Sequence, residues 1–251
     1  MPTSSGSRDA YQEAFRDAAP DAFQDAALDV TADVRILRVS DHLAEAAPDL
    51  SLLSEEERAR GAAFRYQTDR DRYHVAHIAL RRELAARLGA APSAVTLTRA
   101  DCPVCEGPHG RPSLPGDPLH FSLSHGGDLV LLAFAAAPVG VDVEEEPQSH
   151  VVEEVSRALH PREQVELGAL PEAERAAAFA RCWTRKEAYL KGTGTGLAEA
   201  PSVTYVGASG RPVPPPGWRI DDIAAGAGVA VPDGYAAACA VKINGASPQD
   251  G

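Results

Sequence analysis

Trp183-Thr184-Arg185-Lys186-Glu187-Ala188-Tyr189-Leu190-Lys191 decides how this chain is read, together with Gly140-Val141-Asp142-Val143-Glu144 upstream of it. The first stretch closes a predicted helix, Pro171–Lys191, with proline at its start and Gly192 as its stop. On that helix Glu187 stands four residues after Trp183 and four before Lys191, so a ring, a carboxylate and an ammonium share one face. The second stretch reads as a strand, Val139–Val143. Asp142 and Glu144, two apart, leave one face while Val141 and Val143 turn to the core. Adjacent carboxylates repel unless water or a cation relieves them. Mg²⁺ suits such a pair, because it takes hard oxygen ligands, keeps several waters and often completes its shell with phosphates. Each stretch also has an ordinary reading. The strand can simply run out into the acidic turn Glu144-Glu145-Glu146. The helix can be anchored by Phe179 and Trp183, with Glu187 and Lys191 a surface pair worth about 0.3–0.5 kcal/mol.

Outward from these stretches the chain alternates regularly. Strand character at Val34–Val39 is followed by a short helix opened by Ser54 and the acidic turn Glu55-Glu56-Glu57. A longer helix runs from Thr68, with a capping box to Asp71, through Tyr73, His77, Leu80, Leu84 and Leu88 to a stop at Gly89. Strands are predicted at Val95–Thr98, Leu119–Leu123 and Leu129–Ala135. The order then recurs: strand Val139–Val143, helices Val151–Leu167 and Pro171–Lys191, strands Ser202–Val206, Trp218–Asp222 and Tyr235–Val241. This predicts an α+β fold of two similar lobes, 32–138 and 139–243, with a ligand cleft between them. An Ala/Asp-rich N-terminal extension, 1–31, is expected to be mobile, and 244–251 forms a tail.

The 251 residues carry a net charge of -12, which argues against a general nucleic-acid binder. Four cysteines, unevenly placed, make no disulfide framework and suit a reducing, cytoplasmic setting. The longest apolar run, Leu129–Val139, falls short of the ~20 residues of a membrane-spanning helix. The opening MPTSSGSRDAYQ has no signal-peptide core.

Gly-Val-Asp-Val-Glu followed by Trp-x-x-Lys-Glu-x-x-x-Lys resembles, in residue type and order, the pattern of the Sfp-type 4′-phosphopantetheinyl transferases. Gly110-Arg111-Pro112 and Phe121-Ser122-Leu123-Ser124-His125 extend the resemblance, which covers about Ser54 to Lys242. It implies a monomeric, pseudo-twofold, two-lobed fold, each lobe a small sheet packed on helices. The implied reaction moves the phosphopantetheine arm of coenzyme A onto a serine of an apo acyl or peptidyl carrier protein and releases 3′,5′-ADP. Carriers of fatty-acid, polyketide or nonribosomal-peptide assembly are the partner class, with neither nucleic acid nor membrane involved. By the same resemblance Asp142, Glu144 and Glu187 hold Mg²⁺, Glu187 is the base, and Lys191 steadies the leaving phosphates with Lys186 as a second cation. Ser124 and His125 contact coenzyme A phosphates, Arg111 and Pro112 lie by the adenine nucleotide, and Arg60 and Arg72 face the 3′-phosphate. The two arginines also read as solvated helix surface. Glu57 stands where relatives carry a basic residue, which predicts a less positive phosphate subsite.

Three other signals carry less weight. Cys102-Pro-Val-Cys105 with His109 supplies only three of the four ligands of a closed zinc site, and no helix begins at Cys102 to make a redox pair. Gly192-Thr-Gly-Thr-Gly196 follows a helix instead of preceding one, so it is no phosphate loop. Ser124, His125 and Asp142 lack the Gly-x-Ser-x-Gly elbow of a hydrolase.

Overall fold

The computed structural model describes residues 31–108, 110–223 and 231–243. The expected extension (apart from Thr31), the expected tail and His109 lie outside them. The chain is α+β: helices packed on small antiparallel sheets.

Strand β5, Leu129–Ala135, reads LVLLAFA and every residue of it is buried. A strand apolar on both faces must sit inside a sheet with cover on both sides. It pairs antiparallel with β1, Asp33–Arg38, on one edge and β4, His120–Gly126, on the other. Its alternate residues Val130, Leu132 and Phe134 pack against the helix α3, Gln67–Leu88, while Leu129, Leu131, Ala133 and Ala135 face the other way. The second sheet repeats the arrangement. Strand β8, Tyr235–Lys242, lies between β6, Val139–Glu145, and β7, Trp218–Asp222. Ala238 and Ala240 face helix α6, Glu172–Thr193, and Ala237, Cys239 and Val241 meet the inner face of the first sheet. In each sheet the last strand inserts between the first and the penultimate one. The layers run helix, sheet, sheet, helix.

Two small elements complete the first half. Helix α1, Val39–Ala46, follows β1, and α2, Glu55–Ala62, begins at Ser54, whose side chain accepts from the Glu57 N–H while Glu57 bonds back to the Ser54 N–H. Glu57 is buried, accepts from Arg81 Nε at 2.7 Å and lies 3.0 Å from His77 Nδ1. Burial alone drives its carboxyl up, but the His77 and Ser54 hydrogen bonds and the Arg81 charge more than offset this and hold it at about 2. Glu57 therefore ties α2 to α3. Its charge is consumed inside the half, so the expectation that it weakens a phosphate subsite is replaced by a structural role.

Several boundaries differ from the sequence reading. Thr68 does not cap α3; the helix starts at Gln67, whose side chain reaches Asp71 Oδ1 at 2.6 Å. The strand expected at Val95–Thr98 shrinks to β2, Thr98–Arg99, paired with β3, Pro112–Ser113. The helix expected at Val151–Leu167 is two helices, α4, Ser149–Val155, and α5, Pro161–Gly168. Proline forces the residue before it into extended backbone, and His160 there caps α5 through Nδ1. No strand forms at Ser202–Val206: the Val206 N–H is taken at 2.8 Å by Glu163 Oε1, so it makes no ladder bond.

Helix α6 also passes through Gly192 and stops at Gly194, in left-handed backbone. The reason is a crossing. A Cβ on Gly140 would stand 2.0 Å from the Ala188 oxygen and 2.4 Å from the Gly192 nitrogen, and one on Gly192 would meet the Trp218 ring at 2.6 Å. Both glycines are thus required for the backbone of α6 to rest directly on β6.

Candidate active site

Where β4 and β6 meet α6, a cavity of 340 Å³ opens. Leu123, Ser124 and His125 line it from β4, Asp142 and Glu144 from β6, and Trp183, Glu187 and Lys191 from α6. The two strands approach closely because Gly126 has no side chain; a Cβ there would lie 2.5 Å from the Val143 oxygen. The Val141 N–H donates to Ser122 Oγ at 3.1 Å, fixing the crossing. Strand alternation turns Ser122 and Ser124 inward, both buried, and leaves His125 exposed at the mouth.

Asp142 is almost fully buried, at 2% exposure. Its Oδ1 accepts from Ser124 Oγ at 2.8 Å and from Lys191 Nζ at 2.6 Å, and Lys191 Nζ also donates to Ser124 Oγ at 2.9 Å. Asp142 Oδ2 is buried without a hydrogen-bond partner. Burial and then the Asp142 charge push the Glu144 carboxyl up to about 7, with Glu187 adding to the rise and Lys191 opposing it. Glu187 is raised by burial and by Asp142, again against Lys191. Three carboxylates thus share one small space with a single ammonium, an excess of negative charge that a cation relieves.

Hard oxygen donors and an orphaned buried carboxylate oxygen fit Mg²⁺. Among the described residues, however, no three acidic, histidine or cysteine side chains form a ready-made metal cluster. The donors frame a space and do not close a cage, an arrangement suited to an ion that keeps waters and takes oxygens from its substrate.

The other residues named from the sequence are distributed unevenly. Protein crowding lowers the pKa of the His125 imidazole, and the charges of Arg72, Lys191 and His77 add to the effect, so Arg72 reaches toward the mouth from α3. Arg72 Nε is buried without a partner, and its Nη1 lies 3.5 Å from Asp69 Oδ1. Arg60 is exposed on α2 and does not line the cavity. Arg111 packs beside Gly194 at the end of α6, within 3.7 Å of where a Cβ there would be, with Nη1 buried and unpartnered. Pro112 pairs with Arg99 in the β2–β3 ribbon. Lys186 is a correction. Its Nζ is buried on the far side of α6, 2.9 Å from Glu163 and bonded to the Thr204 carbonyl, so it is no second cation for phosphates. Arg185 is spent likewise on Asp222 and the Gly207 and Gly210 carbonyls. Of the Cys-x-x-Cys pair, Cys102 is buried and Cys105 exposed.

Trp183 was read as a core anchor, yet it also walls the cavity, and the four-residue spacing to Glu187 is the signal that places it there. Ser122 gave no sequence signal of its role.

Residues 138–227, which hold both β6 and α6, match the model of the 4′-phosphopantetheinyl transferase superfamily. Over those residues the chain is similar to that superfamily. It is similar to the 4′-phosphopantetheinyl transferase HetI of Nostoc sp., 35% identical over 59% of this chain and 62% of the relative. It is similar also to a phosphopantetheinyl transferase of Thraustochytrium sp., 31% identical over 65% of this chain and 60% of the relative. The 4′-phosphopantetheinyl transferase Sfp of Bacillus subtilis is 28% identical over 59% of this chain and 63% of its own length. The matches thus span about three fifths of these relatives. Among the described residues no helix is long and apolar enough to cross a membrane.

Proposed function

We propose that this chain transfers the 4′-phosphopantetheine arm of coenzyme A to a serine hydroxyl of an apo acyl or peptidyl carrier protein, with Mg²⁺ held by Asp142, Glu144 and Glu187. The observation that supports this reading most is the convergence of those three carboxylates and Lys191 on one cavity, from one strand and one helix far apart in sequence. When bound, the cation neutralises charge on the diphosphate of coenzyme A and orients its leaving half. The serine oxygen forms a bond to the phosphorus of the pantetheine phosphate. The bond to the bridging oxygen breaks, 3′,5′-ADP leaves, and the serine proton passes to Glu187, directly or through water. The raised pKa of Glu187 suits a base that must hold a proton in the transition state. Lys191 offers its ammonium to the leaving phosphates, and His125 and Arg72 form the polar mouth through which the nucleotide end extends. Arg111 beside Gly194 would face the adenine nucleotide.

The same reading treats 32–138 and 139–243 as two pseudo-twofold lobes of one cytoplasmic monomer. The shared strand order of the two sheets supports the two-lobe part of that reading. The test is direct: apo carrier, coenzyme A and Mg²⁺ are incubated with the protein and the carrier is weighed by mass spectrometry. A phosphopantetheine gain that vanishes with EDTA is expected; an unchanged carrier across fatty-acid, polyketide and peptide types would sink the proposal.

A further inference from the structure

Ser124 has one proton to give. A serine hydroxyl offers a single donor and two acceptor sites, and a lysine ammonium only donates. Lys191 Nζ, 2.9 Å from Ser124 Oγ, therefore uses the hydroxyl as an acceptor. The hydroxyl proton is left for the other neighbour in reach, Asp142 Oδ1, at 2.8 Å. A fully ionised phosphate oxygen can only accept. To bind one, Ser124 would have to abandon a buried carboxylate that has no other hydroxyl partner. The consequence at Asp142 is asymmetric. Oδ1 receives both the hydroxyl and the ammonium, and Oδ2 receives nothing although it is buried.

We infer that Ser124 is a positioning residue for the cation site: it and Lys191 clamp Asp142 by Oδ1 so that Oδ2 is presented, unpaired, to a divalent ion. The role implied by family resemblance, a direct phosphate contact, would cost Ser124 its bond to Asp142. Hydrogen-bond partners of a ligating carboxylate fix its rotation and basicity, and losing one typically weakens metal binding by about 10–100-fold. This inference rests on the Mg²⁺ reading above and adds a residue that acts through Asp142 without touching the ion.

The experiment uses the full chain with saturating coenzyme A and no carrier, so that nothing turns over. Mn²⁺ uptake is followed by electron paramagnetic resonance, and coenzyme A affinity is measured separately in EDTA by calorimetry. Ser124→Ala should weaken Mn²⁺ by about tenfold or more and leave metal-free coenzyme A affinity unchanged. Ser124→Thr, which keeps the hydroxyl, should restore most of the Mn²⁺ affinity. Equal Mn²⁺ affinity in wild type and Ser124→Ala, with coenzyme A weakened in EDTA, would make Ser124 a phosphate contact and overturn the inference alone. Equal loss in the Ala and Thr variants would assign the effect to local disruption and overturn it too. A wild-type protein that takes up no Mn²⁺ removes the cation reading itself.

Discussion

Glu57 and Glu144 are carboxylates of the two halves, each drawn out of water, yet their pKa values move in opposite directions, to about 2 and about 7. Glu57 is ringed by donors: His77, Arg81 and the Ser54 N–H. Glu144 is ringed by acids, and the Lys191 charge opposes them. The same contrast divides the long helix of the second half along its length. Arg185 and Lys186, on one side of α6, are buried and fully matched by Asp222 and Glu163. Glu187 and Lys191, on the other, share their cavity with more carboxylates than cations. Charge that is balanced holds the fold. Charge left unbalanced is free to meet a ligand.

That comparison can be broken, and the sharpest blow falls on Glu187. Glu187→Gln should lower carrier modification by about 10²–10⁴-fold, the range of general-base catalysis, while the melting temperature holds; activity near wild type would place the base elsewhere. One residue away the effect should invert. Lys186→Met leaves the buried Glu163 without its counter-charge and should cost roughly 3–5 kcal/mol of stability by urea denaturation. The double variant Glu163→Gln/Lys186→Met, which removes the lone charge and keeps an acceptor for the Val206 and His160 N–H groups, should recover much of it. A stable Lys186→Met that fails to bind coenzyme A would return Lys186 to the ligand site.

The pH dependence of stability tests the other carboxylate. The folded pKa of Glu57, about 2, lies below its ordinary 4.5, so the folded state prefers the ionised form. Its contribution is present in full above pH 4.5 and is lost as pH falls toward 2, a total of about 3 kcal/mol. Glu57→Gln should flatten the stability profile across that window; an identical slope would deny the depressed pKa. Smallest is Gly140→Ala. Its methyl would collide with the Ala188 oxygen and should cost about 1–3 kcal/mol as overpacking, with a larger drop in activity than in stability, because α6 carries Glu187 and Lys191. A variant as stable and active as wild type would deny the backbone contact.

Much of this was legible before any coordinates. Leu129–Ala135 and Trp218–Asp222 were read as strands, and the bounds found for β5 and β7 are the same. Periodicity showed only that Asp142 shares a face with Glu144 and Glu187 with Lys191, and left both pairs readable as solvated surface; the resemblance is what joined them into one site. Lys186 was misplaced even though the same periodicity separates it from Glu187 by about 100° around the helix; resemblance overrode geometry. The rest lay beyond local pattern. Val206 loses its strand to a glutamate 43 residues away, and the bond between Ser124 and Asp142 exists only because two strands of different sheets cross.

The seating of Gly192 on Gly140 carries one more consequence. With no side chain between helix and strand, the spacing between Lys191 and Asp142 is gauged by main-chain atoms, whose sizes do not vary from one sequence to another. Substitutions elsewhere in the second half can then swell or shrink its interior without retuning that distance. Evolutionary drift should be wide around the site and nearly forbidden at two residues that have no chemistry of their own.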